Sequence, residues 1–161
     1  MTESVPSADY AAPPTPAPTR PGTVTAAGII LIVLGAFTLL LGLLLLIGVG
    51  LFAGAAGAIP AEAEMPGIGG LMGAFAGAIF IFTLIVVGFG VLQLLSGIKV
   101  LGGRNWARIT GIVVAALGAL FALAGLGGEG GQVFSLALLV ANGFVVWVLA
   151  TTGRWFAQPV A

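Results

Sequence analysis

Four stretches of this chain stay apolar for about 20 residues or more, and the polar residues collect between them. The runs fall at about 25–53, 71–101, 108–126 and 132–151. A helix rises ~1.5 Å per residue, so about 20 residues cross the ~30 Å hydrocarbon core of a bilayer. A membrane β-strand needs only about 10 residues and alternates apolar with polar positions. Continuous runs therefore predict an all-α membrane protein with four transmembrane helices in a bundle. The first run is longer than a span requires, which predicts tilt or projection. It also begins too late and runs too long for the apolar region of a cleaved secretory signal, although Ala53-Gly54-Ala55 has small residues suited to a cleavage site.

Inside the runs the second pattern is one of small residues. GIVVAALGALFALAG, at 111–125, carries Gly111, Ala115, Gly118, Ala122 and Gly125 in steps of four and three, which puts them on one helical face. GIILIVLGAFTLLLG, at 28–42, matches it at seven of fifteen positions, including Gly28, Gly35 and Gly42. Lipid tails are as apolar as leucine, so helices associate in a membrane through close approach over small residues. Both grooves are expected to face the bundle interior or each other, with the left-handed crossing near ~20° that seven-residue spacing favours. The matching helices run the same way, so the match predicts a parallel duplication of a two-helix hairpin. The second and fourth runs share Gly103-Arg104 and Gly153-Arg154 with aromatic neighbours.

The polar segments set the domain plan. Residues 1–22 hold six of the nine prolines and few apolar groups, a composition that cannot offset its ordering entropy. They are expected to form a disordered tail. PPTP at 13–16, Thr15 and Thr19 are the places where such a tail would dock a partner or take a phosphate; a solvated tail is the simpler reading. The transmembrane domain occupies 23–156, and 157–161 form a short second tail. The loop at 54–70 contains Pro60, Pro66, Glu62 and Glu64, and its two acids read as a solvated cap. The turns at 102–107 and 127–131 are rich in glycine.

Charge orients these segments. Arg20, Lys99, Arg104, Arg108 and Arg154 all fall on one side of the predicted bundle, while the first and third loops carry only Glu62, Glu64 and Glu129. The positive-inside rule makes the basic side cytoplasmic, with both termini inside a cell membrane. Trp106, Trp155 and Phe156 stand beside the arginines, where amphipathic rings prefer the interface.

Composition narrows the chemistry. The chain is 60% hydrophobic, 6% charged and formally neutral, so nothing in it suits nucleic acid. It has no cysteine and no histidine, which removes disulfides, thiol catalysis and imidazole chemistry. There is no nucleophile–base pair, no metal-ligand cluster and no phosphate loop, so no enzyme, metal or cofactor is expected. Gly88 and Gly90 form a G-x-G inside an apolar run, not after a strand, which excludes a dinucleotide fingerprint. The polar groups inside the runs are Gln93, Asn142 and the hydroxyls of Thr38, Thr83, Ser96 and Ser135. Gln93 and Asn142 are the candidate intramembrane polar site; an interhelical hydrogen bond is the simpler role for them.

The proline-rich head, RPGTVTAAGIILIVLG, IKVLGGRNWARITGIV and TTGRWF resemble small membrane proteins of actinobacteria, four-span families without an assigned activity. The resemblance covers most of the chain. It implies a multi-pass topology in a bacterial plasma membrane and carries over no catalytic or binding residue. Small multidrug transporters share the size and the four-helix plan, but they carry a glutamate in the first helix, where this chain has none. Tetraspanins require loop cysteines. The expected function is a non-enzymatic membrane component whose partners are the bilayer and either itself or another membrane protein. The alternatives are a small transporter or channel component built on Asn142 and Gln93, and an accessory subunit recruited through the proline-rich head.

Overall fold

A computed structural model describes residues 19–57, 68–128 and 131–157. Their regular structure is helical throughout: α1 (Gly22–Gly57), α2 (Ile68–Leu101), α3 (Asn105–Gly125), α4 (Gln132–Thr151) and the single turn α5 (Gly153–Phe156). The first 18 residues of the proline-rich tail, the loop acids Glu62, Glu64 and Glu129, and residues 158–161 lie outside the described residues.

Four of the helices are long and apolar enough to cross a membrane, and the protein is a multi-pass membrane protein. The physical reason is the one the runs suggested. In hydrocarbon each backbone N–H and C=O needs a partner within its own segment, and a helix supplies one. Large side chains such as Val33, Leu44, Ile85, Phe121 and Trp147 are exposed on the outer surface, as the lipid face of a bundle requires.

The chain winds up and down. α1 packs on α2 and α3 on α4 as two hairpins, and lighter contacts of α2 with α3 and of α1 with α4 close the ring. α1 and α3 are therefore parallel. Between the hairpins the Gly103 N–H donates to the Val100 carbonyl (3.0 Å) and the Arg104 N–H to the Lys99 carbonyl (3.3 Å). This is the paired ending of a Schellman cap, and Gly103 takes the left-handed φ of 71° that it requires. Trp155 of α5 lies over this glycine.

At the basic end the two hairpins finish level. Arg20 donates to the Leu101 carbonyl (2.8 Å) at the end of α2. Arg108 donates to the Leu149 carbonyl (2.7 Å) and the Ala150 carbonyl (3.2 Å) at the end of α4. Each arginine sits near the start of an odd-numbered helix and satisfies the orphan carbonyls of the even-numbered helix that follows it. The two halves thus share this device as well as their glycine spacing.

The opposite end is stepped. α1 and α2 contain 36 and 34 residues against 21 and 20 in α3 and α4. At 1.5 Å per residue the first hairpin overhangs the second by about 20 Å. The buried apolar core, including Leu31, Val100, Ala115, Val145 and Leu149, lies toward the basic end, where all four helices meet.

The small-residue grooves are filled by neighbours within each hairpin. A Cβ on Gly28, Gly35 or Gly42 would strike Leu101, Leu94 or Val87 of α2. Reciprocally, a Cβ on Gly97 or Gly90 of α2 would strike Ile32 or Leu39 of α1. Leu101, Leu94 and Val87 recur every seven residues, as do Ile32 and Leu39, so the bulky residues of one helix seat on the glycines of the other. In the second hairpin Gly111, Gly118 and Gly125 receive Leu149, Asn142 and Ser135, again at seven-residue spacing. Ala115 and Ala122 between them are buried. Each groove is filled mainly by its own hairpin partner; at Gly111 α1 reaches in as well, with Leu31 Cδ1 3.3 Å from where a Cβ would stand.

Candidate functional site

The seven-residue repeat of α4 places two polar side chains, Ser135 and Asn142, on the face that meets α3, and Gln93 stands on the inner face of α2. All three side chains are buried, Gln93 and Asn142 to 3% residual exposure. They line one cavity of about 320 Å3. Gln93 and Asn142 come from helices on opposite sides of the ring, and the fold brings them to the same space.

Every long helix contributes to the wall. Leu34 and Thr38 come from α1, Phe82 and Phe89 from α2, Gly118 and Phe121 from α3, and Phe134 and Leu138 from α4. The cavity exists because of the step in the bundle. Toward the basic end the four helices converge on Leu31, Val100, Ala115 and Val145. Toward the other end α3 and α4 run out while α1 and α2 continue. Between these limits α3 presents Gly118 and Ala122 to the interior, which leave space that larger side chains would take. Ile85 and Phe121 both line the cavity and stay exposed, at 63% and 68%, so its rim between α2 and α3 opens toward lipid. On the α1–α4 side Phe37 and Phe134 lie with ring centroids 6.2 Å apart and are themselves exposed.

The hydrogen bonds inside are incomplete. Asn142 donates from Nδ2 to the Leu138 carbonyl at 2.9 Å, one turn back on its own helix. Its Oδ1 has no partner, and neither does Oε1 of Gln93. Ser96, one turn closer to the basic end, is fully buried with its Oγ also unpaired. Thr83, Thr110 and Thr151 behave differently, each donating to a carbonyl four residues back. An unpaired acceptor removed from water leaves a desolvation cost of about 1–3 kcal/mol uncompensated. Both oxygens are covered by their neighbours, Asn142 Oδ1 by Gly118 of α3, so each carries that cost within the packed bundle.

Gly118 gives the Asn142 amide its room, since a Cβ there would lie 2.8 Å from Oδ1. The remaining packing glycines (Gly28, Gly35, Gly42, Gly111 and Gly125) serve the seams and stand outside the cavity lining; of the two alanines on the α3 stripe, Ala122 lines it. Sequence reasoning did not find the phenylalanines. Phe82, Phe89, Phe121 and Phe134 were four apolar residues among many, and only the angular position of each helix brings them together. Among the described residues no group of three or more metal-ligating side chains occurs. No protein-family model, curated protein or solved structure matches the chain.

Proposed function

We propose that this chain is a non-enzymatic component of a cell membrane that assembles with a second copy of itself through the overhanging part of α1 and α2. The observation that carries this reading is a contrast between two sets of glycines. Those of the seams, from Gly28 to Gly125, would collide with a neighbour if they carried a Cβ. A Cβ on Gly50 or Gly54 of α1, or on Gly73 or Gly77 of α2, would meet nothing within 4 Å among the described residues. Both pairs are G-x-x-x-G, the spacing that lets two membrane helices approach closely. A glycine inside a helix costs about 1 kcal/mol relative to alanine, and within one copy these four return no packing for it.

The overhang supports a second copy as the occupant. A copy inserted in the same orientation carries its own overhang at the same height, so one two-fold contact covers both. Beside these glycines an apolar groove of about 420 Å3 runs along Leu41, Leu45, Val49 and Phe52, with Ala76 and Ile79 opposite. The basic residues collected at the other end support the orientation with that end, and both termini, in the cytoplasm.

The test exploits the absence of cysteine. Gly73→Cys and Gly77→Cys, each as the only thiol, should form a disulfide-linked dimer in native membranes, whereas Gly143→Cys on the lipid face of α4 should not. The double variant Gly73→Ile with Gly77→Ile should abolish the dimer and leave the unfolding temperature of the monomer unchanged or raised, because a Cβ at either position meets no side chain of the described residues within 4 Å. Monomer-sized species from every cysteine variant at normal expression would sink self-assembly.

A further inference from the structure

We propose that the basic end of the bundle is a docking surface for an anionic phospholipid, with Lys99, Arg104 and Arg154 on its phosphate and its acyl chains along the exposed faces of α2 and α3. This goes beyond self-assembly and does not depend on it, since the overhang lies at the other end of the molecule.

The five basic side chains of this end divide by what they hold. Arg20 and Arg108 donate to carbonyls at the ends of α2 and α4. The side-chain hydrogen bonds of the described residues use none of Lys99, Arg104 and Arg154. Arg104 and Arg154 are exposed and Lys99 is half-buried, so their donors are within reach of a ligand. Contacts of their own segments gather them. The Arg104 N–H donates to the Lys99 carbonyl (3.3 Å), and Trp155, next to Arg154, lies against Gly103, next to Arg104.

The chain does not neutralise this end by itself. Among the described residues there is no acid. Glu62, Glu64 and Glu129 belong to the connections at the opposite end, which leaves Glu3 and Asp9 of the tail against five cations. Three positive charges remain for an anion from outside the chain. Arg104 is also the N-cap of α3, with no side-chain cap hydrogen bond, so the positive end of the helix dipole adds to the field. Guanidinium groups suit phosphate because two parallel N–H donors meet two of its oxygens.

The surface around the cations favours lipid as the source of that phosphate. Trp106, Ile109 and Val113 are exposed along one face of α3, starting beside Arg104. Leu95 and Ile98 are exposed on α2 in the turn that leads to Lys99. A phosphate held by the cations therefore has an indole at headgroup level and apolar surface leading away from it into the hydrocarbon.

The experiment uses the full chain in phosphatidylcholine nanodiscs with a minority of lipid brominated on its acyl chains, which quenches a tryptophan it touches. Brominated phosphatidylglycerol should be preferred over brominated phosphatidylcholine by about fivefold or more, the factor for one basic side chain at an anionic headgroup. Trp106→Phe should remove most of the selective quenching, and added salt should lower the ratio. Lys99→Gln combined with Arg104→Gln and Arg154→Gln should bring the ratio to about one. The two lipids on the unaltered chain decide the matter even where a variant fails to fold. A ratio near one on that chain, or a ratio that survives the triple substitution, would overturn the proposal. Inorganic phosphate that abolishes the preference at matched ionic strength would overturn it in favour of a free anion. A preference that emerges only with Glu3→Gln and Asp9→Asn would overturn it in favour of the tail.

Discussion

Gly103 shows how much one residue can hold at the basic end of this protein. Its φ of 71° closes α2, and the ring of Trp155 covers it. Trp155 in turn packs edge-on against Phe156, with centroids 4.7 Å apart, and the Arg108 guanidinium carbon lies 6.0 Å from the Phe156 ring centroid. A side chain at position 103 would meet both the strain of left-handed backbone and a Trp155 carbon at 3.2 Å. Gly103→Ala should therefore lower stability by about 1–2 kcal/mol, read as a lower unfolding temperature in detergent. An unchanged temperature would mean that the cap contributes nothing. At the same scale the polar residues divide by what surrounds them. Thr83 satisfies itself along its own helix, as any hydroxyl in a helix can. Gln93 and Asn142 stood out in the sequence as amides in apolar runs, but their unpaired oxygens did not, because that depends on residues far away in the chain.

Between elements, the seams follow a rule simple enough to predict single substitutions. On α1 and α2 glycines alternate with bulky residues, and each helix seats on the glycines of the other. In the second hairpin the seam glycines all belong to α3 and the side chains nearest them to α4. A Cβ on Gly35 would lie 2.5 Å from the backbone nitrogen of Leu94, and backbone cannot swing aside as a side-chain tip can. Gly35→Ala should force α1 and α2 apart and cost about 1–3 kcal/mol. Gly143→Ala meets nothing within 4 Å and should be neutral or stabilising, through the better helix propensity of alanine. Thermal unfolding of the two variants side by side checks the rule, and similar effects at both sites would refute it. The seven-residue spacing of Gly28, Gly35 and Gly42 was plain in the sequence. The partner spacing on α2, Gly90 and Gly97 with Leu94 and Leu101, was equally present, but it could not be singled out until the register of the hairpin was known.

On the scale of the whole molecule, the step between the hairpins organises everything else. It bounds the cavity, and it leaves part of the first hairpin without a facing helix among the described residues. The proposed orientation of this stepped body in the membrane rests on its charge distribution. Ala157→Cys, at the basic end, should react only with reagent admitted to the cytoplasm of intact cells. Gly128→Cys, at the other end, should react with reagent supplied outside. Labelling of both from one side would be incompatible with α4 as a single span between them, and reversed labelling would overturn the orientation.

The sequence by itself determined the environment, the helical class and the order of the hairpins. Those depend on local quantities: the length of an apolar run, the chemistry of Gly102 and Gly103, and the solvation of a charge. It also determined which faces of α1 and α3 could be approached closely, since small residues at fixed spacing define a groove wherever the helix ends up. What filled each groove was decided only by the tertiary structure, through the rotation and register of each helix against the next. The same holds for the cavity. Gln93 and Asn142 lie 49 positions apart in the chain, and nothing local relates them. They share a space because α3 and α4 are short, because Gly118 leaves room, and because the core closes below them.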